Sequence, residues 1–324
     1  MALRIASALA ALAIVVTTPG CGGRVGSIQT AVTSPVPSAD TLAQLWVDPG
    51  DAPRDLFWGV GGQSLAPSMS TPFDVEARDE AGFSVSYDVK GADGVRWSAK
   101  IGPEAQSEVV VSRILWGLGY HQPPTYYLPS WTARGPRETR RESEARFRPK
   151  LPTLEAGESW QWADNPFLPA REFRGMLVVL LMLNSTDLKD SNNTVYDVKD
   201  AKGATGPVRW FLVRDLGAAL GETGKLFPRR NWLEGFERSG FITGVAGNRV
   251  EFDYRGRHQE LLTMIRPGDV TWAAQRLQRF TDQQWRDAFR AGNYDAAIAN
   301  RFVARIKAKI ADGLALQAAP GTAS

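Results

Sequence analysis

The residues that offer the most chemistry stand in a polar segment, "NSTDLKDSNNTVY" at 184–196, at the end of the apolar run "GMLVVLLMLN". The carboxylate of Asp187 could orient a hydroxyl group and accept its proton. The amide oxygen of Asn192 could hold a magnesium ion, and Lys189 could contact a phosphate group. Charged groups beside a buried helix are costly to desolvate without partners. The segment is therefore a candidate for a site that binds charge, and an ordinary polar turn is the alternative.

Four further charged residues could complete such a site. Asp215 follows the predicted strand "RWFLVR" in the motif "DLG", and its carboxylate could bind a metal ion. Lys100 ends the predicted strand "VRWSAKI" and could neutralise phosphate charge. The helix predicted to follow that strand carries Glu104 and Glu108, and either carboxylate could hold Lys100 in place. We expect Glu108 to do so, because it lies a full turn into the helix, and Glu104 is the second choice.

These clusters stand in the order, and on the types of element, that phosphoryl transfer uses in protein kinases. The chain resembles the protein-kinase-like superfamily over roughly residues 55–310. The resemblance implies an α+β, two-lobed fold, with one helix among the antiparallel strands of the N-terminal lobe and a β-hairpin carrying Asp215 in a mainly helical C-terminal lobe. It also implies ATP and magnesium as cofactors. The implied roles are catalytic for Asp187 and Lys189, cofactor-binding for Lys100, Glu108, Glu104 and Gly82, and metal-binding for Asn192 and Asp215.

The sequence departs from the typical kinase pattern in several places. The tripeptide at 184–186 is Asn-Ser-Thr where His-Arg would precede the aspartate, and neither G-x-G-x-x-G nor A-P-E is present. The nearest phosphate-covering turns are "RDEAGFS", which contains Gly82, and "GVGG" at 59–62. These departures place the chain nearer to atypical branches, such as the HipA-type and phosphoinositide kinases, or to secreted kinases. With only His121 and His258 as histidines, a Ser–His–Asp triad or a His-rich metal site is poorly supported.

The N-terminus has the three-part layout of an export signal at 1–20, with Arg4 before an apolar stretch that is too short to span a bilayer. Cys21, the only cysteine, follows Gly20 and resembles a bacterial lipobox. We therefore expect lipidation at Cys21 and a lipid anchor in the cell envelope. The alternative is an ordinary signal with an incidental cysteine, which implies a periplasmic or extracellular protein. Residues 21–54 are rich in Gly, Ser, Thr and Pro and predict a flexible tether, with at most a short helix near "LAQLWV".

The 324 residues are 43% hydrophobic and 23% charged, which is typical of one large domain or two lobes. A formal net charge of +3 does not favour a nucleic-acid partner. We expect a strand-rich lobe at 55–165, a helical lobe at 166–318 and a disordered tail at 319–324. Residues 133–168 are predicted to be irregular. Their basic part, 134–150, indicates either a solvated loop or a contact surface for phosphate, lipid headgroups or an acidic substrate.

Three functions remain open from the sequence. The first is an exported kinase-like enzyme that transfers the γ-phosphoryl group of ATP to an unknown hydroxyl acceptor. The second is an inactive pseudokinase or binding module. The third is a structural lipoprotein of the cell envelope, in which the polar segment is a surface turn. Convergence of the candidate side chains on one cleft would separate the first two from the third.

Overall fold

A seven-stranded sheet forms the N-terminal lobe in a computed structural model, which describes residues 35–80, 84–199, 208–223 and 229–316. The spatial order is β4-β7-β3-β2-β1-β5-β6, and all neighbours are antiparallel except β1 and β5. One helix, α2 (Glu104–Gly117), packs against this sheet. The strands are β1 (Phe73–Asp79), β2 (Ser86–Lys90), β3 (Arg96–Ile101), β4 (Tyr126–Leu128), β5 (Trp131–Arg134), β6 (Thr139–Glu142) and β7 (Ala145–Pro149).

The two faces of this sheet differ in polarity because side chains alternate along each strand. On β3, Trp97 and Ala99 are buried in an apolar cluster, whereas Ser98 and Lys100 lie on the opposite face. The register places Arg148 of β7 beside Ser98 and continues the polar face into the next strand. The sheet therefore presents a polar, partly cationic surface on the side where Lys100 lies.

A long buried helix, α3 (Arg171–Met182), leads into the C-terminal lobe. It is followed by a hairpin of β9 (Asn193–Val198) and β10 (Arg209–Val213), to which β8 (Leu154–Ala156) adds a third strand. This arrangement confirms the predicted α+β fold with two lobes and a hairpin that leads to Asp215. The remaining elements are α4 (Leu233–Arg238), β11 (Ile242–Ala246), β12 (Arg249–Phe252), α5 (Gln259–Leu262), α6 (Pro267–Gln278), α7 (Asp282–Ala291) and α8 (Ala296–Ala315).

The folded part of the chain begins earlier than the predicted tether allows. A short helix, α1 (Ala39–Ala43), precedes Leu45, which is 1% exposed, and the indole of Trp46 donates a 2.7 Å hydrogen bond to Leu118 O. Asp48 then forms an ion pair of 3.0 Å with Arg276. The apolar anchors hold this segment on the protein despite its Gly- and Pro-rich surroundings. The predicted signal and Cys21 lie outside the described residues. None of the described helices is both long and apolar enough to cross a membrane.

The prediction that residues 133–168 are irregular is wrong, because β6, β7 and β8 lie within them. The basic stretch at 134–150 is not a solvated loop either. In β7, Ala145 and Phe147 enter the apolar cluster, and Arg146 and Arg148 are buried on the other face. The sequence did not indicate this strand, because its charged residues suggested exposure to solvent. Two arginines can be buried only beside an acidic partner, and the partner is brought there by the fold.

The C-terminal end of α3 is held by a buried lysine. Lys309 on α8 is fully buried, and its Nζ lies 3.0 Å from Met182 O and 2.8 Å from Asn184 Oδ1. Burial lowers the pKa of Lys309 to about 7. Asn184 adopts a left-handed conformation, with φ of 53°, and its amide donates to Gly221 O. The start of the polar segment 184–196 is thus fixed by a lysine that binds the carbonyl end of the helix.

We expect Lys309→Met to destabilise the protein by about 1–3 kcal/mol, because two buried oxygens lose their donor. The matched control is Lys307→Met, which removes an exposed lysine of the same helix. The folded pKa of Lys309 lies below its ordinary value of 10.5, so the unfolded chain binds the proton more tightly. Wild-type stability in urea should therefore rise between about pH 7 and 10 relative to the Lys309→Met variant. Parallel pH profiles for the two proteins would contradict this account.

Candidate active site

Lys100 connects three elements at the end of β3. Its Nζ lies 2.5 Å from Asp215 Oδ1 and 3.2 Å from Glu104 Oε2. The Lys100 side chain is 17% exposed and that of Glu104 is 5% exposed, so these charges are largely shielded from water. A strand, the first turn of α2 and the segment after β10 are thereby joined through one ammonium group. Three of the residues singled out in the sequence meet here.

The prediction that Glu108 pairs with Lys100 is wrong, and Glu104, the second choice, makes the contact. Glu108 Oε1 lies 2.8 Å from Arg148 Nη2 and 3.0 Å from Arg146 Nε. Burial opposes ionisation of Glu108, but the charges of Arg146 and Arg148 outweigh it and lower its pKa to about 2. Strand β7 lies beside β3 and places two arginines against this carboxylate. Lys100 is left to Glu104, which also accepts a contact from Arg230.

The turn that follows Asp215 is docked directly on α2. Asp215 adopts φ of 41°, an uncommon left-handed conformation for a residue other than glycine. A Cβ at Gly217 would lie 2.5 Å from Glu104 Cβ and 2.9 Å from Glu104 O. The hydroxyl of Ser107 donates a 2.7 Å hydrogen bond to Gly217 O. Glycine is required at this point because the turn and the helix touch through their backbones.

The polar segment forms a loop that is closed on itself by Asn192, whose amide donates a 3.0 Å hydrogen bond to Asp187 O. The two carboxylate oxygens of Asp187 have different cationic partners. Oδ2 lies 2.7 Å from Lys189 Nζ, and Oδ1 lies 3.3 Å from Arg257 Nε. Sequence reasoning missed Arg257, as it missed Arg230, because neither stands in a recognisable motif and both reach their partners from loops.

Backbone hydrogen bonds join this loop to the turn at Asp215. Thr186 N donates to Ala218 O at 3.0 Å, and Arg214 N donates to Asn192 O at 2.8 Å. The two chain segments therefore run side by side, with Asp215 between the two bridges. Within the residues that the structure describes, Asn192 Oδ1 and Asp215 Oδ2 accept no hydrogen bond. Two oxygen ligands are thus available where the segments meet.

A groove of about 740 Å³ lies on the polar face of the sheet and is lined by both lobes, but Lys100 and Asp215 are not among its lining residues. Ser98 and Arg148 of the sheet form one wall, and Tyr196 and Arg214 of the hairpin form the other. Burial lowers the pKa of Arg148 to about 9, so this guanidinium is still charged at neutral pH. Among its described neighbours, Arg214 has no carboxylate partner and lies over the ring of Tyr196. The cations lining the groove, Arg96, Arg148, Lys150, Lys199 and Arg214, outnumber the carboxylates, Asp88 and Glu155.

The oxygen ligands determine which metal the site could take. In the described parts of the chain, no group of three or more His, Cys, Asp or Glu side chains could hold a metal ion. Asp215 and Asn192 offer two hard oxygens, which suits a magnesium ion that brings waters and phosphate oxygens as its other ligands. The residues fit such a shared ion and do not fit a metal held by protein groups alone. Gly82, the predicted phosphate-covering residue, lies outside the described residues.

Comparisons with known proteins agree in finding little sequence similarity. No protein-family model and no curated protein matches the chain. A crystal structure of a Helicobacter pylori proinflammatory kinase, CtkA, is similar in structure, with a TM-score of 0.48 and 8% sequence identity. The similarity covers 79% of this chain and 99% of that one.

The contact between Gly217 and α2 predicts a sharp response to a single methyl group. Gly217→Ala should destabilise the protein by about 1–3 kcal/mol, because the new Cβ meets backbone that cannot easily give way. Gly268→Ala is the matched control, since a Cβ there meets nothing within 4 Å. Chemical denaturation of both variants tests the contact. Equal free energies of unfolding for Gly217→Ala and Gly268→Ala would show that a Cβ at position 217 does not clash with α2.

Removal of the Glu108 charge should destabilise the protein strongly and in a pH-dependent manner. Glu108→Gln leaves Arg146 and Arg148 buried without a counter-charge, which costs about 3–5 kcal/mol. The folded pKa of about 2 lies below the ordinary 4.5, so the stabilisation is present above about pH 4.5 and is lost as the pH falls towards 2. Urea unfolding between pH 7 and 3 should show this acid-labile component in the wild type only. The exposed Glu76→Gln serves as control.

Proposed function

We propose that the protein binds a nucleoside triphosphate with magnesium in the cleft beside Lys100 and transfers its γ-phosphoryl group to a hydroxyl. The observation that carries the proposal is the contact of one lysine with both Glu104 on α2 and Asp215 after β10. Phosphoryl transfer asks the protein mainly to position two reactants and to neutralise phosphate charge. Arg214, which precedes Asp215 and has no carboxylate partner among its described neighbours, adds a cation that supports an anionic ligand.

Each residue has a definite task in this proposal. Lys100, oriented by Glu104, pairs with the α- and β-phosphates. Asp215 and Asn192 would hold a magnesium ion, and such an ion would supply positive charge against the phosphates. The acceptor oxygen forms a bond to the γ-phosphorus as the bond from that phosphorus to the bridging β-oxygen breaks. The nucleoside diphosphate leaves, and the acceptor proton passes to the carboxylate of Asp187.

A second candidate is nucleotide binding without transfer. It is favoured by the state of Asp187, whose two oxygens are engaged by Lys189 and Arg257. Transfer requires at least one of these cations to release its oxygen when the acceptor binds. Arg257 is the weaker partner, because its contact is longer and its side chain is 58% exposed.

The two candidates are separated by measuring nucleotide binding and turnover in the same purified protein. With ATP and magnesium, the wild type should bind nucleotide and release ADP in the presence of a hydroxyl acceptor or water. Lys100→Met should weaken binding. Asp187→Asn should retain binding but lose turnover by about 100-fold or more, because the base is gone.

Asp197→Asn is the matched control, since Asp197 is an exposed carboxylate on β9, the strand that follows the loop of Asp187. Full turnover in Asp187→Asn would refute the transfer mechanism. Binding by the wild type without any turnover would favour the second candidate. Absence of binding to wild-type protein would contradict both.

A further inference from the structure

Arg113, on α2, is a buried charge that contacts no carboxylate directly among the described residues, although the charge of Asp55 lies near enough to favour its charged form. It is 2% exposed, its Nε donates to Phe57 O at 3.3 Å, and its Nη2 donates to Thr125 O at 2.6 Å. Among the described residues it forms no ion pair, and Nη1 has no hydrogen-bond acceptor. The two contacts that exist hold neighbouring backbone in place and leave one amino group of the guanidinium unused. A buried cation in this state is costly unless an anion joins it.

Arg113 lines a pocket of about 280 Å³ that shares no residue with the groove on the polar face of the sheet. The walls are mainly apolar and aromatic, with contributions from Phe57, Trp58, Tyr126 and Met69. The pocket lies between the segment before β1, the strand β4 and the end of α7. Its volume is slightly below the usual range for drug-sized ligands, so it suits a small molecule.

The charged side chains that line this pocket are both arginines. Arg290, on α7, also lines it, with a guanidinium 4.6 Å from the ring centroid of Phe57. Its carboxylate partner, Asp287, does not line the pocket, and no Asp or Glu does. Burial lowers the pKa of Arg113 to about 10, which still leaves the group charged at neutral pH. One buried and one exposed arginine thus flank an aromatic cavity whose lining contains no acid, since Asp55 and Asp287 lie outside it.

We propose that this pocket binds a small organic carboxylate with a flat apolar body, the carboxylate pairing with Arg113 Nη1 and the body packing between the aromatic side chains. Arginine suits this role because its planar donors match a carboxylate, and aromatic walls favour a flat ring. Arg290 at the rim adds attraction for the anion. The site is independent of the proposed phosphoryl transfer, because it uses none of those residues.

The test compares three probes with the full chain: phenylacetate, its neutral counterpart phenylacetamide, and acetate. Ligand-observed NMR and calorimetry at pH 7 should show phenylacetate binding at least about tenfold more tightly than phenylacetamide, the value of one charge-assisted hydrogen bond. Acetate, which lacks the apolar body, should bind much more weakly than phenylacetate. Equal affinity for phenylacetate and phenylacetamide, or no binding of phenylacetate, would overturn the proposal.

The direct variant, Arg113→Met, removes the charge with which the carboxylate would pair. Two further variants keep the proposal testable if Arg113→Met fails to fold. Ala66→Trp leaves Arg113 in place and fills the pocket from its rim, so phenylacetate binding should be lost. Arg290→Gln should weaken binding a few-fold, whereas Arg286→Gln, an exposed change one turn away on the same helix, should not. Unchanged affinity in Ala66→Trp would place the ligand elsewhere and overturn the proposal.

Discussion

The contact of Lys100 with Asp215 and Glu104 is the interaction on which the rest of the site depends. A lysine this shielded needs anionic partners, and it takes one from the helix of the sheet lobe and one from the turn after the hairpin. The same contact positions the turn after Asp215, in which Gly217 approaches the backbone of α2. The hydrogen bonds at Thr186 and Arg214 then align the polar loop with that turn. One ammonium group therefore organises four separate stretches of chain.

The other buried charges have partners of their own and do not compete for Lys100. Glu108 is occupied by Arg146 and Arg148, so it does not compete with Glu104 for Lys100. Lys309 fixes the end of α3, so the polar loop leaves the helix at a defined point. Each cluster has its own partners, and removing one member leaves the others buried and unpaired, which costs more than a surface ion pair is worth.

Much of this could be predicted from the sequence, because periodicity and local motifs are local properties. The alternation in "VRWSAKI" predicted β3 with Lys100 at its end, and the apolar run before Asn184 predicted the buried helix. Side-chain pairing across long sequence distances could not be predicted. The strand β7 was hidden by its arginines, and without that strand nothing in the sequence could show that Glu108 was already neutralised. Arg257 and Arg230 reach the site from loops whose paths depend on the finished fold, and Leu45 and Trp46 anchor a segment whose composition predicted a tether.

We propose that Lys100, Asp215 and Asn192 together form a site for a metal-bound nucleotide. The most direct measurement is a crystal structure of the protein with a non-hydrolysable ATP analogue and manganese, using anomalous scattering to locate the metal. We expect one manganese peak within ligand distance of Asp215 and Asn192, with nucleotide phosphates against Lys100. A nucleotide bound elsewhere, or crystals soaked at saturating concentration that show no manganese at Asp215, would contradict it.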